Sequence, residues 1–325
     1  MIGQNQMTSI CSRLIEEIYF ADMVPIVERL STKLRNEEEV DIVVLAIHAG
    51  QDDVPGFLAL DKYVDAVFNA HTHQHETKTV AGVPFIQGGS KGRYVSHIEL
   101  EYDYAHNSVK ALKAENINMV DADITPDSAV NALLNSYKAE SDAISEIYVG
   151  EAGGYFDRYD ELPRVLNYAV ARTALELDYE LDFVYGGGTR EGIAAGTVTY
   201  GDLYKAHPFD NAIYVVSVSG RDLLAQQSYY QAYRVEDHAE IELNRYYTLA
   251  IQDYSILHQD ITKTYNYFPG YNPDEHFIGI ISDENGDPIM PRDLIWEEFR
   301  MAPNLMLDPF DYKYINERHF NFTIP

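Results

Sequence analysis

Three short, continuous apolar runs constrain this chain more than anything else in it: Asp41 to Ile47 (DIVVLAI), Val64 to Phe68 and Val83 to Ile86. A run without polar alternation, bounded by turn residues, reads as a strand buried on both faces, as in a parallel sheet. Each run ends in a polar or glycine-rich loop. The first closes in His48-Ala49-Gly50, the second in Asn69-Ala70-His71-Thr72-His73, the third in Gln87-Gly88-Gly89-Ser90-Lys91-Gly92. Sheets of this class place ligands just beyond the carboxyl ends of neighbouring strands. Neutral imidazole is a good donor to borderline divalent metals, so His48 and His71 come within reach of one ion. A His-x-His pair such as His71 and His73 is equally at home in a solvated loop, and His75 reads that way.

The flanks follow the same logic. Ser9 to Arg35 reads as helix, with Met23, Ile26, Val27, Leu30 and Leu34 on one face. Alternation in Val95 to Tyr102 predicts an antiparallel strand closing the layer, and Val109 to Val120 reads as a further strand. Thr125-Pro126-Asp127 marks a helix start with proline in an early position, and Val130, Leu133, Leu134, Tyr137 and Ile144 form its apolar face. Beyond Gly153-Gly154 a second domain begins.

That second domain holds the densest local signal. A short buried strand, Leu181 to Tyr185, runs into Gly186, Gly187 and Gly188, whose missing side chains let the backbone turn sharply and approach a ligand. Arg190 follows, a planar permanent cation suited to phosphate. A second turn, His207-Pro208-Phe209-Asp210-Asn211, offers an aromatic face and a carboxamide. A glycine-rich turn of this kind also occurs as plain structure. Around these turns, Leu162 to Leu177, Arg221 to Gln227 and Pro291 to Trp296 read as helices, and Ile213 to Val218 and Tyr246 to Asp253 as strands.

Composition narrows the partners. A chain of 325 residues has room for two cores. Its formal charge of −28 would repel a nucleic-acid backbone, so an anionic small ligand must be met by local arginine or metal. The single cysteine, Cys11, rules out an intrachain disulfide or a cysteine metal cluster. No stretch approaches the ~20 apolar residues of a membrane span, and the N-terminus lacks the charged-then-apolar pattern of a signal peptide.

The order GGG-x-R, TYGDLY, HPFDN, an apolar strand and SGRDLL resembles the C-terminal domain of the 5'-nucleotidase family, most specifically over residues 181–225. DIVVLAIHAG, VDAVFNAHTH and GVPFIQGGSKGRYVSHIEL resemble the second half of the metallophosphoesterase domain that precedes it in those enzymes. The resemblance covers about residues 35–300. It implies an α/β plus α+β architecture: a partial metallophosphoesterase sandwich (1–121), a linker helix (122–146) and a nucleotidase C-terminal domain with an extension (147–325).

Its implied substrate is a nucleoside 5'-monophosphate or another small phosphate ester, hydrolysed over two divalent ions, manganese, zinc or magnesium. His48, His71 and His73 match ligand positions, with Ala70 where the family has glycine. Arg190 matches a phosphate contact; so does Arg158, with Arg164 its rival. Gly187 and Gly188 match the close approach to the ligand, Phe209, Asn211 and Tyr254 the grip on the base, and Asp260 the acidic residue of a loop that here lacks the family's glycines. The family's Asp-x-His, bridging Asp and Asn-His motifs are not found in the roughly 40 residues before the first ligand strand, Asp41 to Ile47. The expectation is therefore a chain without its own catalytic histidine, which binds a nucleotide better than it hydrolyses one and holds little or no metal by itself. The alternatives are a binding module that has lost the chemistry and a phosphoesterase for cyclic nucleotides or other esters. Family members are usually exported, which implies the cell envelope or beyond. Oligomeric state is not readable.

Overall fold

A computed structural model describes residues 1–10, 15, 17–51, 54–120, 123–225, 233–234, 240–257 and 268–309. They fall into two compact units, one within residues 1–126 and one within 127–325.

In the first unit, helix α1 (Met23–Asn36) begins where the Asp22 carboxylate accepts the Val24 N–H at 3.2 Å. The cap sets the start of this helix, and the single helix expected over Ser9 to Arg35 is interrupted: residues 18–22 are irregular, Gln4–Ser9 make a tight 3-10 turn, and residues 11–14 and 16 lie outside the described residues. Met23, Val27 and Ser31 form the buried face, whereas Leu30 and Leu34 are exposed, so the apolar stripe is narrower than expected. Strands β1 (Val44–Ile47), β2 (Ala66–Asn69), β3 (His75–Val80) and β4 (Val83–Gly88) form one sheet in the order β1-β2-β4-β3. β1, β2 and β4 run parallel, as the three apolar runs predicted.

β1 is buried on one face only, with Ile42 and Val44 exposed. β3 was not legible: its HETKTV sequence is polar, yet it pairs antiparallel with β4 through a turn in which Ala81 and Gly82 both take positive φ. His75 therefore starts a strand and stacks on Tyr94, ring centroids 4.0 Å apart, rather than lying in a solvated loop. β5 (Tyr94–Asp103) and β6 (Ser108–Asn118) are antiparallel and alternate as read, but they form their own two-stranded sheet instead of closing the first. The core gathers Met23, Val27, Leu45, Ile47, Phe57 and Phe85.

The second unit opens with α2 (Ser128–Ser145), whose first N–H groups at Ala129 and Val130 donate to the Asp127 carboxylate at 2.9 Å. Pro126 thus precedes the cap instead of occupying the first helical turn. Val130, Leu133, Leu134, Tyr137 and Ile144 are each 56–64% exposed. A three-stranded sheet follows, β7 (Tyr148–Ala152) flanked by β9 (Gly196–Thr199) and by β14 (Met306–Leu307), which gives part of the C-terminal extension a place. Helices α3 (Glu161–Glu176) and α8 (Pro291–Met301) pack together and are joined by a mostly buried ion pair, Arg172 to Glu298 at 3.0 Å. α4 (Tyr200–Ala206) starts at Thr199, whose N–H donates to Asp202 at 3.1 Å.

The five-stranded sheet positions the loops of interest. Its order is β11 (Tyr233–Arg234), β8 (Phe183–Tyr185), β12 (Tyr246–Gln252), β10 (Ile213–Ser219), β13 (Phe277–Ile280). β8 and β12 are parallel, with Tyr185 beside Ile251, while β10 is antiparallel to β12, with Ile213 opposite Gln252. The ends of β8 and β12 and the beginning of β10 therefore emerge together, bringing Gly186, Gln252 and Asn211 to one end of the sheet. Short helices α5 (Gly220–Ala225), α6 (Asp253–Ile256) and α7 (Pro273–His276) complete the unit.

Candidate functional site

At that end of the sheet the loops are tied down by buried polar side chains. The Gly186 N–H donates to Asn167 Oδ1 at 2.6 Å, and Asn167 Nδ2 donates to the Pro163 carbonyl at 2.6 Å. The Gly186 carbonyl accepts from Gln252 Nε2 at 2.5 Å. That amide nitrogen also lies 2.8 Å from His207 Nε2, and Gln252 Oε1 accepts from Asn211 Nδ2 at 3.1 Å. Gly187 has φ of +102°, and a Cβ there would overlap the Gln252 carboxamide, so glycine is required on both counts. Gly188 is exposed with open space before it.

Two arginines stand over this turn. Arg158 Nη1 donates to the Arg190 carbonyl at 2.7 Å, and Thr189 Oγ1 donates back to the Arg158 carbonyl at 2.6 Å. Arg190 is exposed, its Cζ 5.1 Å from the centre of the Phe209 ring. Among the described residues neither arginine has a carboxylate partner, in a chain of net charge −28. The rival Arg164 is instead paired with Asp160 one turn away. Arg190 is thus a cation held ready rather than one neutralised in the core.

The second loop is braced from below. Arg292 on α8 pairs with Asp210 at 2.6 Å and donates to the Phe209 carbonyl at 3.3 Å and the Tyr200 hydroxyl at 3.0 Å. His207 is fully buried and packs edge-on against Phe209. Burial pushes its pKa down to about 4, and its Nδ1 has no partner. Phe209 and Asn211 are half-buried at the surface of the loop, and Tyr254 is half-buried in α6, two residues beyond Gln252. Asp260 lies outside the described residues.

The strand-end loops of the first unit are built differently. His48 follows β1 and His71 follows β2, and their rings meet edge to face with centroids 5.1 Å apart. The Ala70 N–H donates to the Ala49 carbonyl at 3.3 Å, which links the two loops. His71 and His73 both take positive φ, at 78° and 58°, conformations that cost non-glycine residues energy. Among the described residues no group of three His, Cys, Asp or Glu side chains could hold a metal, so His73 does not complete a donor set with the other two. A pair of imidazoles falls short of a dimetal centre, which needs several donors and a bridging carboxylate. The described residues do not fit that group.

The family described as the 5'-nucleotidase C-terminal domain matches residues 166–228, the stretch that contains Asn167, the triple glycine, Arg190 and the His207–Asn211 turn. That stretch of the second unit is similar to the 5'-nucleotidase C-terminal domain. Endonuclease YhcR of Bacillus subtilis is 29% identical in an alignment that covers 64% of this chain and 18% of that protein. Protein UshA of Yersinia enterocolitica is 23% identical in an alignment that covers 63% of this chain and 48% of UshA. The chain spans about half or less of the length of these curated relatives. Among solved structures, a candidate 5'-nucleotidase from Staphylococcus aureus aligns over 94% of this chain and 69% of its own, with a TM-score of 0.68 at 15% identity. A 5'-nucleotidase precursor from Thermus thermophilus aligns over 89% and 68%, with a TM-score of 0.61 at 15% identity. At that identity the likeness shows the fold alone, that of the solved 5'-nucleotidases.

Within the nucleotidase domain, sequence reasoning did not find Asn167, Gln252 and Arg292. Two of them left a trace. Asn167 interrupts the apolar face Val165, Leu166, Ala169, Val170, and Gln252 ends an apolar strand with an amide. A polar residue in such a place must find a partner inside the fold.

Proposed function

We propose that the nucleotidase domain binds the phosphate and base of a nucleoside 5'-monophosphate or a close relative, and that the protein belongs to the metal-dependent phosphoesterases of 5'-nucleotidase type. One observation carries this reading: Arg158 and Arg190, hydrogen-bonded through the backbone around a glycine turn, are cations without a carboxylate partner among the described residues, Arg158 lying over Tyr159 and Arg190 beside the half-buried Phe209 ring. Guanidinium groups bind phosphate oxygens through paired hydrogen bonds, and Gly187 and Gly188 leave the backbone open to the same group. Phe209 offers its face to a base, a stacking contact worth about 0.5–1.5 kcal/mol beyond area burial, with Tyr254 and Asp260 as further candidates for that pocket.

Fixing the ester is itself a large part of catalysis in this class, since orientation removes entropy from the barrier. The described residues provide capture and orientation. They do not provide a dimetal centre, and no bond-breaking step is assigned to them. A second reading is supported by the same two-histidine geometry: a nucleotide-binding module whose first unit serves as a folding partner. Calorimetric titration of adenosine 5'-monophosphate, with manganese or with chelator, decides between them, together with phosphate release. Metal-independent binding that is lost in Arg190→Ala supports capture by the nucleotidase domain. Added manganese that produces turnover supports the enzyme, and absence of binding in every condition refutes both.

A further inference from the structure

The polarity of the Asn211 carboxamide is fixed from inside the protein. The Gly186 carbonyl can only accept, so the Gln252 group facing it is the NH2, and Gln252 Oε1 faces Asn211. An oxygen in that place requires the Asn211 NH2 opposite it. The Asn211 Oδ1 is thereby turned away from Gln252, and among the described residues it accepts no hydrogen bond. The second N–H of Gln252 points to His207 Nε2, which must accept, so His207 is neutral and carries its proton on Nδ1. Its complete burial, with a pKa near 4, agrees with that state. Nothing in this chain of donors and acceptors can flip singly without leaving two like groups face to face.

We infer that Gln252 is the positioning residue that sets base selectivity: it holds Asn211 with its oxygen outward, which favours a nucleobase presenting an N–H donor there, such as the amino group of adenine. This rests on the reading that a nucleotide lies against Phe209 and Asn211. Gln252 itself is buried beneath the loop and acts through Asn211. A hydrophobic replacement at residue 252 frees the Asn211 amide to rotate, so it can offer either a donor or an acceptor and no longer discriminates.

The test compares adenosine 5'-monophosphate with purine riboside 5'-monophosphate, which lacks only the amino group, by calorimetry on the full chain in chelator. The unaltered protein should bind the second ligand about 3- to 10-fold more weakly, the worth of one neutral hydrogen bond. In Gln252→Met the ratio should fall to within about twofold, with fluorescence of Trp296, the single tryptophan, reporting that the domain remains folded. Equal binding of the two ligands by the unaltered protein overturns the inference and leaves the nucleotide reading standing. A ratio unchanged in Gln252→Met assigns the selectivity elsewhere and overturns it too. If neither ligand binds the unaltered protein, the nucleotide reading falls and the inference with it. The ligand swap needs no variant, so a Gln252→Met protein that fails to fold does not remove the test.

Discussion

The loops at the strand ends of the first unit and those of the nucleotidase domain come from similar sequence signals and reach opposite outcomes. In the first unit, histidines follow apolar strands as ligands should, but His48 and His73 remain exposed and only His48 and His71 meet. In the second, Gly186, His207 and Asn211 are each gripped by a buried amide, and Arg292 braces Phe209 and Asp210. Both rest on buried amides, and what separates them is what those amides hold: in the first unit Gln87 bonds Thr72 and Glu76 and grips neither His48 nor His71, whereas in the second Gln252 holds the Gly186 backbone and Asn211 themselves. A ligand site is preorganised when the groups behind it have their hydrogen bonds satisfied by the scaffold.

If the comparison is right, damage to the second unit's polar layer should be costly and damage to the first unit's histidines cheap. The largest effect is expected from Gly187→Ala, which adds a methyl group into Gln252 at a φ of +102°. Strain and overlap together should cost roughly 2–4 kcal/mol and abolish nucleotide binding, read by urea denaturation followed at Trp296 and by calorimetry. A stable, binding-competent Gly187→Ala protein would break the comparison at once.

His207 should give the next effect, through pH. Its folded pKa of about 4 lies below the ordinary 6.5, so between these values the unfolded chain binds the proton and the folded chain does not. Its contribution is therefore complete above about pH 6.5 and is lost as pH falls toward about 4, by roughly 3 kcal/mol in all. Denaturation midpoints of the unaltered protein and His207→Gln should converge as pH is lowered across that window. Parallel curves would show that His207 is not the titrating group.

Arg190→Ala should weaken nucleotide binding by about 1.5–3 kcal/mol, the range of hydrogen bonds to charged groups, while leaving stability within about 0.5 kcal/mol. Its exposure and its lack of a carboxylate among the described residues separate the two readouts, and a large loss of stability would mean that the arginine braces the fold. The smallest effect belongs to His48→Ala and His71→Ala. Each should change stability and metal-free nucleotide affinity by no more than about 0.5 kcal/mol. Tight zinc binding that either substitution removes would show that the first unit assembles a fuller donor set than its described residues provide.

Much of this architecture was legible where one physical signal dominated. Unbroken apolar runs gave β1, β2 and β4 their parallel pairing, and glycine with a following arginine marked the turn after β8. Polar strand β3 was not legible, because its pairing is enforced by the turn at Ala81-Gly82 rather than by burial. The start of α1 was set by the single cap at Asp22, a local choice that periodicity does not register. In the candidate site Arg190, Phe209 and Asn211 carried recognisable chemistry, whereas Asn167 and Gln252 hold Gly186 from 19 and 66 residues away. No short window of sequence contains such a pairing.

The parallel pairing of β8 with β12 also bears on how the domain folds. Gly186 and Gln252 meet only after a loop of more than 60 residues has closed, among the slow, non-local steps of folding. A ligand that clasps the two loops recognises a surface that early, locally organised species do not present. It should therefore lengthen the lifetime of the native domain by slowing unfolding, with little effect on the rate at which that state is first reached.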